Sequence, residues 1–266
     1  MELTKLKDIK LFLFDMDGTL YLGDRLFDFT KELLSTIRQN KAKYLFMTNN
    51  SSKSVSSYIK KLERLGIASE YDDFMTSSQA TVYYLKKHLP DAKLYVCGTE
   101  SLKEELLIHG FCVTENIEQT DAVIMGNDTE LTFKKLDDVC RILTARDVPY
   151  IATNPDYVCP TEYGFVPDCG SVCDMIRNAV KKRPLVIGKP QALMPQLAMQ
   201  KWGVSPEQTA VIGDRIYTDI KSGINAGCVT VLVMSGETDE KTLAASPDKP
   251  DFVFSSGKEI LDAIRE

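Results

Sequence analysis

Hydrophobic and polar positions along the chain follow two alternating patterns. Short runs rich in β-branched and aromatic residues predict buried strands, and stretches with apolar residues at helical spacing, such as 53–65, predict helices between them. This alternation is typical of an α/β protein with a mostly parallel sheet and crossover helices. The predicted strands are IKLFLF (9–14), KYLFM (43–47), DDFMT (72–76), TAVIG (209–213), VTVLV (229–233) and DFVF (251–254).

The same alternation restarts in the middle of the chain. KLYVCG (93–98), AVIMG (122–126) and YIATN (150–154) are predicted as further strands. We interpret the restart as a second α/β domain inserted into the first. The predicted organisation is a core formed by 1–79 and 184–266, with the inserted cap domain at 80–183.

Composition and charge narrow the range of functions. Hydrophobic residues make up 44% of the chain, enough for a substantial core, and 32 Lys and Arg stand against 38 Asp and Glu, a net charge of −6. No basic tract interrupts this balance, so a nucleic-acid partner is not expected. The apolar stretch before Asp15 has about six residues, too few for a secretory leader or a membrane span. The seven scattered cysteines are typical of reduced thiols. We therefore expect a cytoplasmic protein with no membrane partner.

Polar side chains gather where the predicted strands end. In an open parallel sheet, chemistry is concentrated at the carboxyl ends of the strands, so residues at the ends of neighbouring strands converge on one crevice. These residues are Asp15 and Asp17 after the first strand, Thr48, Asn49 and Asn50 after the second, Lys189 after LVIG, and Asp214 with Asp219 after TAVIG.

Each motif has a simpler explanation when it is taken alone. Asp-x-Asp-Gly often forms a turn, and TNNSS is typical of a helix N-cap at Ser51 or Ser52. Asp214 and Asp219 also suit the first turn of a helix. The order of the motifs, each after a predicted strand, favours a catalytic interpretation over these separate explanations.

The motifs together resemble a known family. DMDGT, TNN, GKP and GDRIYTD, in that order, resemble the four motifs of the haloacid dehalogenase-like phosphatase superfamily. LFDMDGTLY, TNNSS, IATNPD and VIGKP resemble its NagD and 4-nitrophenylphosphatase branch, in which a large α/β cap of the C2 type lies between the second and third motifs. Thr48 and Lys189 are 141 positions apart, which agrees with such a cap. The resemblance implies a Rossmann-like, doubly wound core with an inserted α/β cap.

The implied reaction is the hydrolysis of a phosphomonoester in two steps. Asp15 is the expected nucleophile and forms an acyl-phosphate, while Asp17 protonates the leaving group and then deprotonates water. Carboxylates this close to Asp214 would repel one another unless a cation sat between them, and Mg²⁺ fits. The expected metal ligands are Asp15, Asp214 and the backbone carbonyl of Asp17, with Asp219 orienting them from a second shell.

Phosphate binding is expected from the residues around these aspartates. Gly18 allows a sharp turn and presents N–H groups to the phosphate. The hydroxyl of Thr48 and the N–H of Asn49, at the start of the helix that follows, are further donors, with Asn50 beside them. Lys189 supplies a compact positive charge.

The inserted segment contains the candidate for substrate selection. Residues 153–176 mix Pro, Gly and polar residues ahead of a helix and are interpreted as a loop that closes over the active site, with an ordinary surface loop as the alternative. The resemblance implies that the stretch Pro167–Ser171, which includes Asp168 and Gly170, helps to select the leaving group. We hypothesise that Asp168 disfavours leaving groups with additional negative charge.

The predicted function is a Mg²⁺-dependent phosphatase acting on a small phosphorylated metabolite. Candidate substrates implied by the resemblance are sugar phosphates, nucleoside monophosphates, phosphoglycolate, pyridoxal phosphate and aryl phosphates. The alternatives left open are a phosphotransferase and a phosphate-ligand sensor that has kept the fold. A homodimer formed through the cap is a further possibility.

Overall fold

The computed structural model describes residues 4–161 and 163–265, and the chain divides into two units. The first unit comprises Met1–Thr48, Ile59–Met75 and Lys189–Glu266, and the second comprises Asn49–Tyr58 and Thr76–Gly188. The edges predicted for the inserted domain, 80 and 183, stay a prediction. The second unit runs from Thr76 to Gly188, slightly beyond both edges, and it also includes Asn49–Tyr58.

Helices and strands alternate along the whole chain. The amino-terminal part contains α1 (Thr4–Lys7), β1 (Leu11–Phe14), β2 (Tyr21–Leu22), β3 (Arg25–Leu26), α2 (Thr30–Gln39), β4 (Lys43–Thr48), α3 (Val55–Arg64) and β5 (Phe74–Thr76). The middle contains α4 (Ser77–His88), β6 (Lys93–Cys97), α5 (Glu100–Ile108), β7 (Cys112–Val113), β8 (Ala122–Met125), α6 (Phe133–Ala145), β9 (Tyr150–Ala152), β10 (Val158–Thr161), β11 (Gly164–Pro167), α7 (Cys169–Val180) and β12 (Leu185–Val186). The carboxyl-terminal part contains α8 (Leu193–Trp202), β13 (Thr209–Gly213), α9 (Lys221–Ala226), β14 (Val229–Val233), α10 (Glu240–Ala245), β15 (Phe252–Phe254) and α11 (Gly257–Arg265).

The first unit is built on a six-stranded sheet in the order β5, β4, β1, β13, β14, β15. β1 pairs in parallel with β4 and β13, and β14 pairs in parallel with β13 and β15. The chain therefore starts in the middle of the sheet, runs to one edge, and later fills the other half. This confirms the doubly wound, Rossmann-like core, and the strand order reverses between β1 and β13.

Burial explains why the central strands form. Every residue of β1 and of β13 is buried, as expected for a parallel sheet that is covered by helices on both faces. α2 supplies one such cover, because Leu33, Leu34 and Ile37 fall on its buried face. No helix within 4–161 and 163–265 is long and apolar enough to cross a membrane.

The second unit has its own parallel sheet, in the order β12, β9, β8, β6, β7. The strands predicted from KLYVCG, AVIMG and YIATN form its centre, so the inserted α/β domain is confirmed. A separate antiparallel hairpin joins β10 to β11.

Three local predictions were wrong. LVIG was expected to precede Lys189 as a strand of the core, but its two-residue strand β12 pairs with β9 at the edge of the second unit's sheet. Residues 153–176 were expected to be a loop, yet they contain the β10–β11 hairpin and the start of α7. The helix after TNN begins at Val55, so Asn49 does not lie at its start.

Candidate active site

Asp15 and Asp214 directly follow the two strands, β1 and β13, between which the strand order reverses. The backbone N–H of Asp15 donates to the carbonyl of Ile212 at 2.8 Å, which continues the β1–β13 pairing beyond Phe14. Asp219 follows on a single π-helical turn, and one carboxylate oxygen from each of the three aspartates lies within 4.8 Å of the others. The convergence predicted for these residues is therefore present in the first unit.

Lys189 ties two of these aspartates together. Its Nζ lies 2.7 Å from Oδ1 of Asp15 and 2.6 Å from Oδ1 of Asp219, and it also donates to the carbonyl of Met47 at 3.1 Å. The side chain is only 2% exposed. Burial alone would lower the pKa of Lys189, but the charges of Asp15 and Asp219 outweigh it and raise the pKa above its ordinary value. Lys189 is thus a fixed cation beside Asp15.

The carboxylate of Asp214 is incompletely satisfied. Its Oδ2 accepts the backbone N–H of Glu237 at 2.7 Å, while its Oδ1 is buried with no hydrogen-bond partner among the described residues. Burial raises the pKa of Asp214 to about 8, and Asp15 and Asp219 add to the rise. Burial likewise raises the pKa of Asp15 to about 6, against the opposing effect of Lys189. With all three aspartates ionised, the cluster would carry more negative charge than Lys189 alone balances, which is why these pKa values are raised.

Two glycines allow the backbone to close around Asp214. A Cβ on Gly18 would lie 2.5 Å from Oδ2 of Asp214, and one on Gly236 would lie 2.0 Å from it. Gly18 has a φ of +83°, which confirms the predicted sharp turn. Its own N–H donates to the carbonyl of Tyr21 at 2.8 Å, so the donor assigned to it from the sequence is already engaged within the turn.

Asp17 lies apart from the three clustered aspartates. Its side chain is 45% exposed; Oδ1 accepts the N–H of Gly23 at 3.4 Å, and Oδ2 lies 3.8 Å from Nζ of Lys61. Lys61 also sits over the ring of Tyr21, 4.1 Å from its centroid. The sequence analysis missed Lys61, because a lysine in an amphipathic helix carries no local signal that it contacts Asp17.

Thr48, Asn49 and Asn50, at the end of β4 and just after it, differ in their burial and hydrogen-bond partners. Thr48 is the last residue of the strand and is buried. Within the second unit, Nδ2 of Asn49 donates to Oδ2 of Asp156 at 3.0 Å. Oδ1 of Asn50 accepts the N–H and the hydroxyl of Ser52, at 2.9 and 2.7 Å. The phosphate-binding roles of Thr48, Asn49 and Asn50 stay predictions.

The predicted capping serines have other partners. The hydroxyl of Ser51 lies 2.8 Å from that of Thr153 and accepts the N–H of Asn127 at 2.9 Å. Since α3 begins at Val55, neither Ser51 nor Ser52 is its N-cap, and the simpler explanation of TNNSS as a helix N-cap does not hold.

Asp168 and Gly170 lie at the start of α7 in the second unit. Asp168 is the N-cap of the helix, and it accepts hydrogen bonds from the N–H of Cys169 and from the side-chain amides of Asn127 and Asn154 at 2.5–3.2 Å. A Cβ on Gly170 would lie 2.1 Å from the carbonyl oxygen of Pro155. Both residues thus have structural roles that the sequence analysis did not consider, and their roles in substrate selection stay predictions.

Arg215 and Glu237 are further charged residues at the site that received no role from the sequence. Nε of Arg215 lies 2.8 Å from Oε2 of Glu237, and its backbone N–H donates to Oδ2 of Asp219 at 3.0 Å. The hydroxyl of Tyr217 donates to the other carboxylate oxygen of Glu237. The position of Arg215 directly after Asp214 is the signal that would have drawn attention to it.

An aspartate held by a buried lysine, with a crowded group of carboxylates at the switch point of a doubly wound sheet, is an arrangement suited to a phosphate ester and a metal ion. The sequence model of the haloacid dehalogenase-like hydrolases matches residues 12–112, and a second model of such hydrolases matches 186–260. The chain belongs to the haloacid dehalogenase-like hydrolase family, and it is a phosphatase of the NagD type.

Curated and structural relatives cover nearly the whole chain. The 5'-nucleotidase YutF of Bacillus subtilis is 32% identical over 259 residues, which are 97% of this chain and 100% of the relative. An acid sugar phosphatase of Staphylococcus haemolyticus is 31% identical over 98% of this chain and 97% of the relative. The structure of 4-nitrophenylphosphatase from Thermotoga maritima has a TM-score of 0.93 at 38% identity, covering 98% of this chain and 99% of the other. These likenesses confirm the predicted family, branch and enzyme class.

Proposed function

We propose that the protein hydrolyses a small phosphorylated metabolite with Mg²⁺ as cofactor and Asp15 as nucleophile. The observation that carries this proposal is the contact of Lys189 with Asp15 and Asp219, next to a buried Asp214 oxygen that lacks a hydrogen-bond partner among the described residues. A carboxylate with a fixed cation beside it, and a group of carboxylates that a divalent cation can neutralise, suit attack on a phosphoryl group.

The residues present fit a hard divalent cation. Oxygens of Asp15, Asp214 and Asp219 lie within 4.8 Å of one another, and an unpartnered buried carboxylate oxygen is unfavourable unless a cation binds it. Asp15, Asp214 and the backbone carbonyl of Asp17 would hold the ion. Asp219 bonds Lys189 and the Arg215 N–H, which supports an orienting role for it. A bound Mg²⁺ would neutralise negative charge on the phosphoryl oxygens.

The chain's own residues account for both chemical steps. In the first, an oxygen of Asp15 attacks phosphorus, the bond from phosphorus to the leaving oxygen breaks, and Asp17 gives that oxygen its proton. In the second, Asp17 takes a proton from water, whose oxygen attacks phosphorus and breaks the bond to Asp15. Lys189 holds Asp15 in place and offers positive charge to the phosphate throughout. The exposed side chain of Asp17 supports its role as proton carrier.

The names of the relatives guide the choice of substrates. They include a 5'-nucleotidase, acid sugar phosphatases and a 4-nitrophenylphosphatase. We propose that this chain acts on a nucleoside monophosphate, a sugar phosphate, phosphoglycolate or an aryl phosphate. The hypothesis that Asp168 disfavours additional negative charge is tested by Asp168→Asn, which keeps an N-cap acceptor. An unchanged ranking of mono- and bis-phosphorylated substrates would reject it.

The experiment that tests the proposed function is phosphate release from a panel of these compounds, with Mg²⁺ or with EDTA. Asp15→Asn is the catalytic variant, and Asp8→Asn, at an exposed aspartate, is the matched control. We expect release that requires Mg²⁺, persists in Asp8→Asn and is lost in Asp15→Asn. Release that continues in Asp15→Asn would refute the role of Asp15, and transfer of phosphate to an added alcohol would indicate a phosphotransferase.

Location and assembly are part of the proposal. We propose a cytoplasmic enzyme and a homodimer formed through the cap, both of which stay predictions from the sequence. Cell fractionation and sedimentation equilibrium would test them, and a monomer at all concentrations would reject the dimer.

A further inference from the structure

A cavity separate from the candidate active site lies in the first unit, at the amino ends of the core strands β4 and β5. Its volume is about 700 Å³, within the range of small-molecule sites. It is lined by residues that lead into β4 and β5 and by Trp202, the last residue of α8. Asp15 and Asp214 follow the carboxyl ends of the strands, so this cavity is at the opposite edge and takes no part in the proposed hydrolysis.

Three cationic side chains line this cavity. Arg38 sits over the ring of Tyr44 with its guanidinium carbon 4.8 Å from the centroid, and Lys43 sits over the ring of Trp202 at 4.5 Å. Lys41 is exposed. Across the part of the chain that the structure describes, neither Lys41 nor Lys43 has a carboxylate within 4.0 Å, so neither lysine is held in an ion pair.

The two acidic residues that line the cavity, Glu70 and Asp73, contact each other's backbone. Glu70 and Asp73 form a reciprocal capping box, in which each side chain accepts the backbone N–H of the other. Asp73 lies 4.0 Å from Arg38, the outer limit of an ion pair. Their carboxylates therefore stabilise the turn before β5, and these two negative charges against three cations leave the lining of the cavity with one net positive charge.

Two buried polar atoms belong to the same wall. The hydroxyl of Ser69 and Nε1 of Trp202 are buried, and neither has a hydrogen-bond partner among the described residues. A buried donor without an acceptor is unfavourable, so such groups in native proteins usually bind water or a ligand. Because neither atom has exposed surface, the cationic side chains are the groups that an anion in the cavity would meet.

We propose that this cavity binds a small organic anion that carries at least two phosphate or carboxylate groups. Its negative charges meet Arg38, Lys41 and Lys43. Planar cations and ammonium groups held against aromatic rings are well placed to receive such groups. The site is independent of the proposed hydrolytic function.

Trp202 gives the experiment a specific signal, because it is the only tryptophan in the sequence. Its emission is followed in metal-free Asp15→Asn protein, in buffer without a chelator, while methylenebisphosphonate or propane-1,2,3-tricarboxylate is added, and glucose serves as the uncharged control. Isothermal calorimetry gives an independent affinity. The two anions distinguish a preference for phosphate-type groups from one for carboxylates.

The decisive variant is the double substitution Lys41→Met with Lys43→Met, and Lys258→Met on α11 is the control for an exposed lysine outside the cavity. We expect saturable binding of at least one anion, weakened about tenfold or more by the double variant and unchanged in the control. Absence of saturable binding by both emission and calorimetry, or equal affinity in all three proteins, would overturn the proposal.

Discussion

Replacing Asp214 with asparagine should stabilise the protein when Mg²⁺ is absent. The wild-type carboxyl has its pKa raised from 3.8 to about 8, mainly by burial and then by Asp15 and Asp219. Asparagine keeps the shape of the side chain and the acceptor for the N–H of Glu237 but carries no charge. The substitution therefore removes a buried repulsion without removing the hydrogen bond.

The sign and size follow from linkage between ionisation and folding. The folded carboxyl of Asp214 holds its proton more tightly than the unfolded one, so its contribution to stability is complete below about pH 4 and is lost as the pH rises to about 8. A pKa difference of about 4, at about 1.4 kcal/mol for each unit, sets an upper limit of about 6 kcal/mol. Because Asp15 and Asp219 share the repulsion, we expect Asp214→Asn to gain about 2 kcal/mol at pH 8, and less at pH 5.

Urea unfolding in EDTA measures this gain directly. Wild type, Asp214→Asn and the control Asp8→Asn are compared at pH 5 and pH 8, and then again with Mg²⁺. Wild type should gain stability on binding Mg²⁺, whereas Asp214→Asn should gain little. The reasoning is refuted if Asp214→Asn is no more stable than wild type at pH 8 in EDTA, or if Mg²⁺ stabilises both equally.

Three further substitutions test other parts of the site. Lys189→Met leaves Asp15 without its buried cation. We expect kcat to fall about a hundredfold or more, and the free energy of unfolding in urea to fall by about 3 kcal/mol. A kcat and an unfolding free energy close to those of wild type would contradict this. Asp17→Asn should release a burst of nitrophenolate from 4-nitrophenyl phosphate and then turn over slowly. Nitrophenolate leaves without a proton, so only the second step, in which water attacks, needs the carboxylate of Asp17 as a base. A linear time course would argue against Asp17 as the proton carrier. Gly236→Ala places a Cβ within 2.0 Å of Asp214 and should raise the Mg²⁺ concentration needed for half-maximal activity, and an unchanged concentration would mean that the loop yields.

The sequence predicts the strands and the aspartate cluster well because both depend on local pattern. LFLF and TAVIG are apolar enough to be buried on both faces, and a strand that is buried in a parallel sheet delivers the residue after it to the carboxyl edge. Asp15 and Asp214 thus follow from hydrophobic runs alone once the strands are neighbours.

The features that the sequence did not predict depend on distant partners. The strand in LVIG is assigned to the second unit by pairing of Leu185 with Ile151, which no local pattern encodes. Ser51 is held by Thr153 and Asn127 rather than by the helix that follows it. The carboxylate of Asp168 likewise accepts from the side-chain amide of Asn127, which is 41 positions away.

The measurement that tests the central claim most directly is detection of phosphate on Asp15 itself. Asp17→Asn protein with Mg²⁺ is mixed with 4-nitrophenyl phosphate, quenched in acid during the burst, digested and analysed by fragmentation mass spectrometry. The account predicts one phosphoryl group on Asp15, absent when Asp15→Asn is added to the variant. Release of nitrophenolate with no phosphoryl group on Asp15, or with one on another residue, would contradict it.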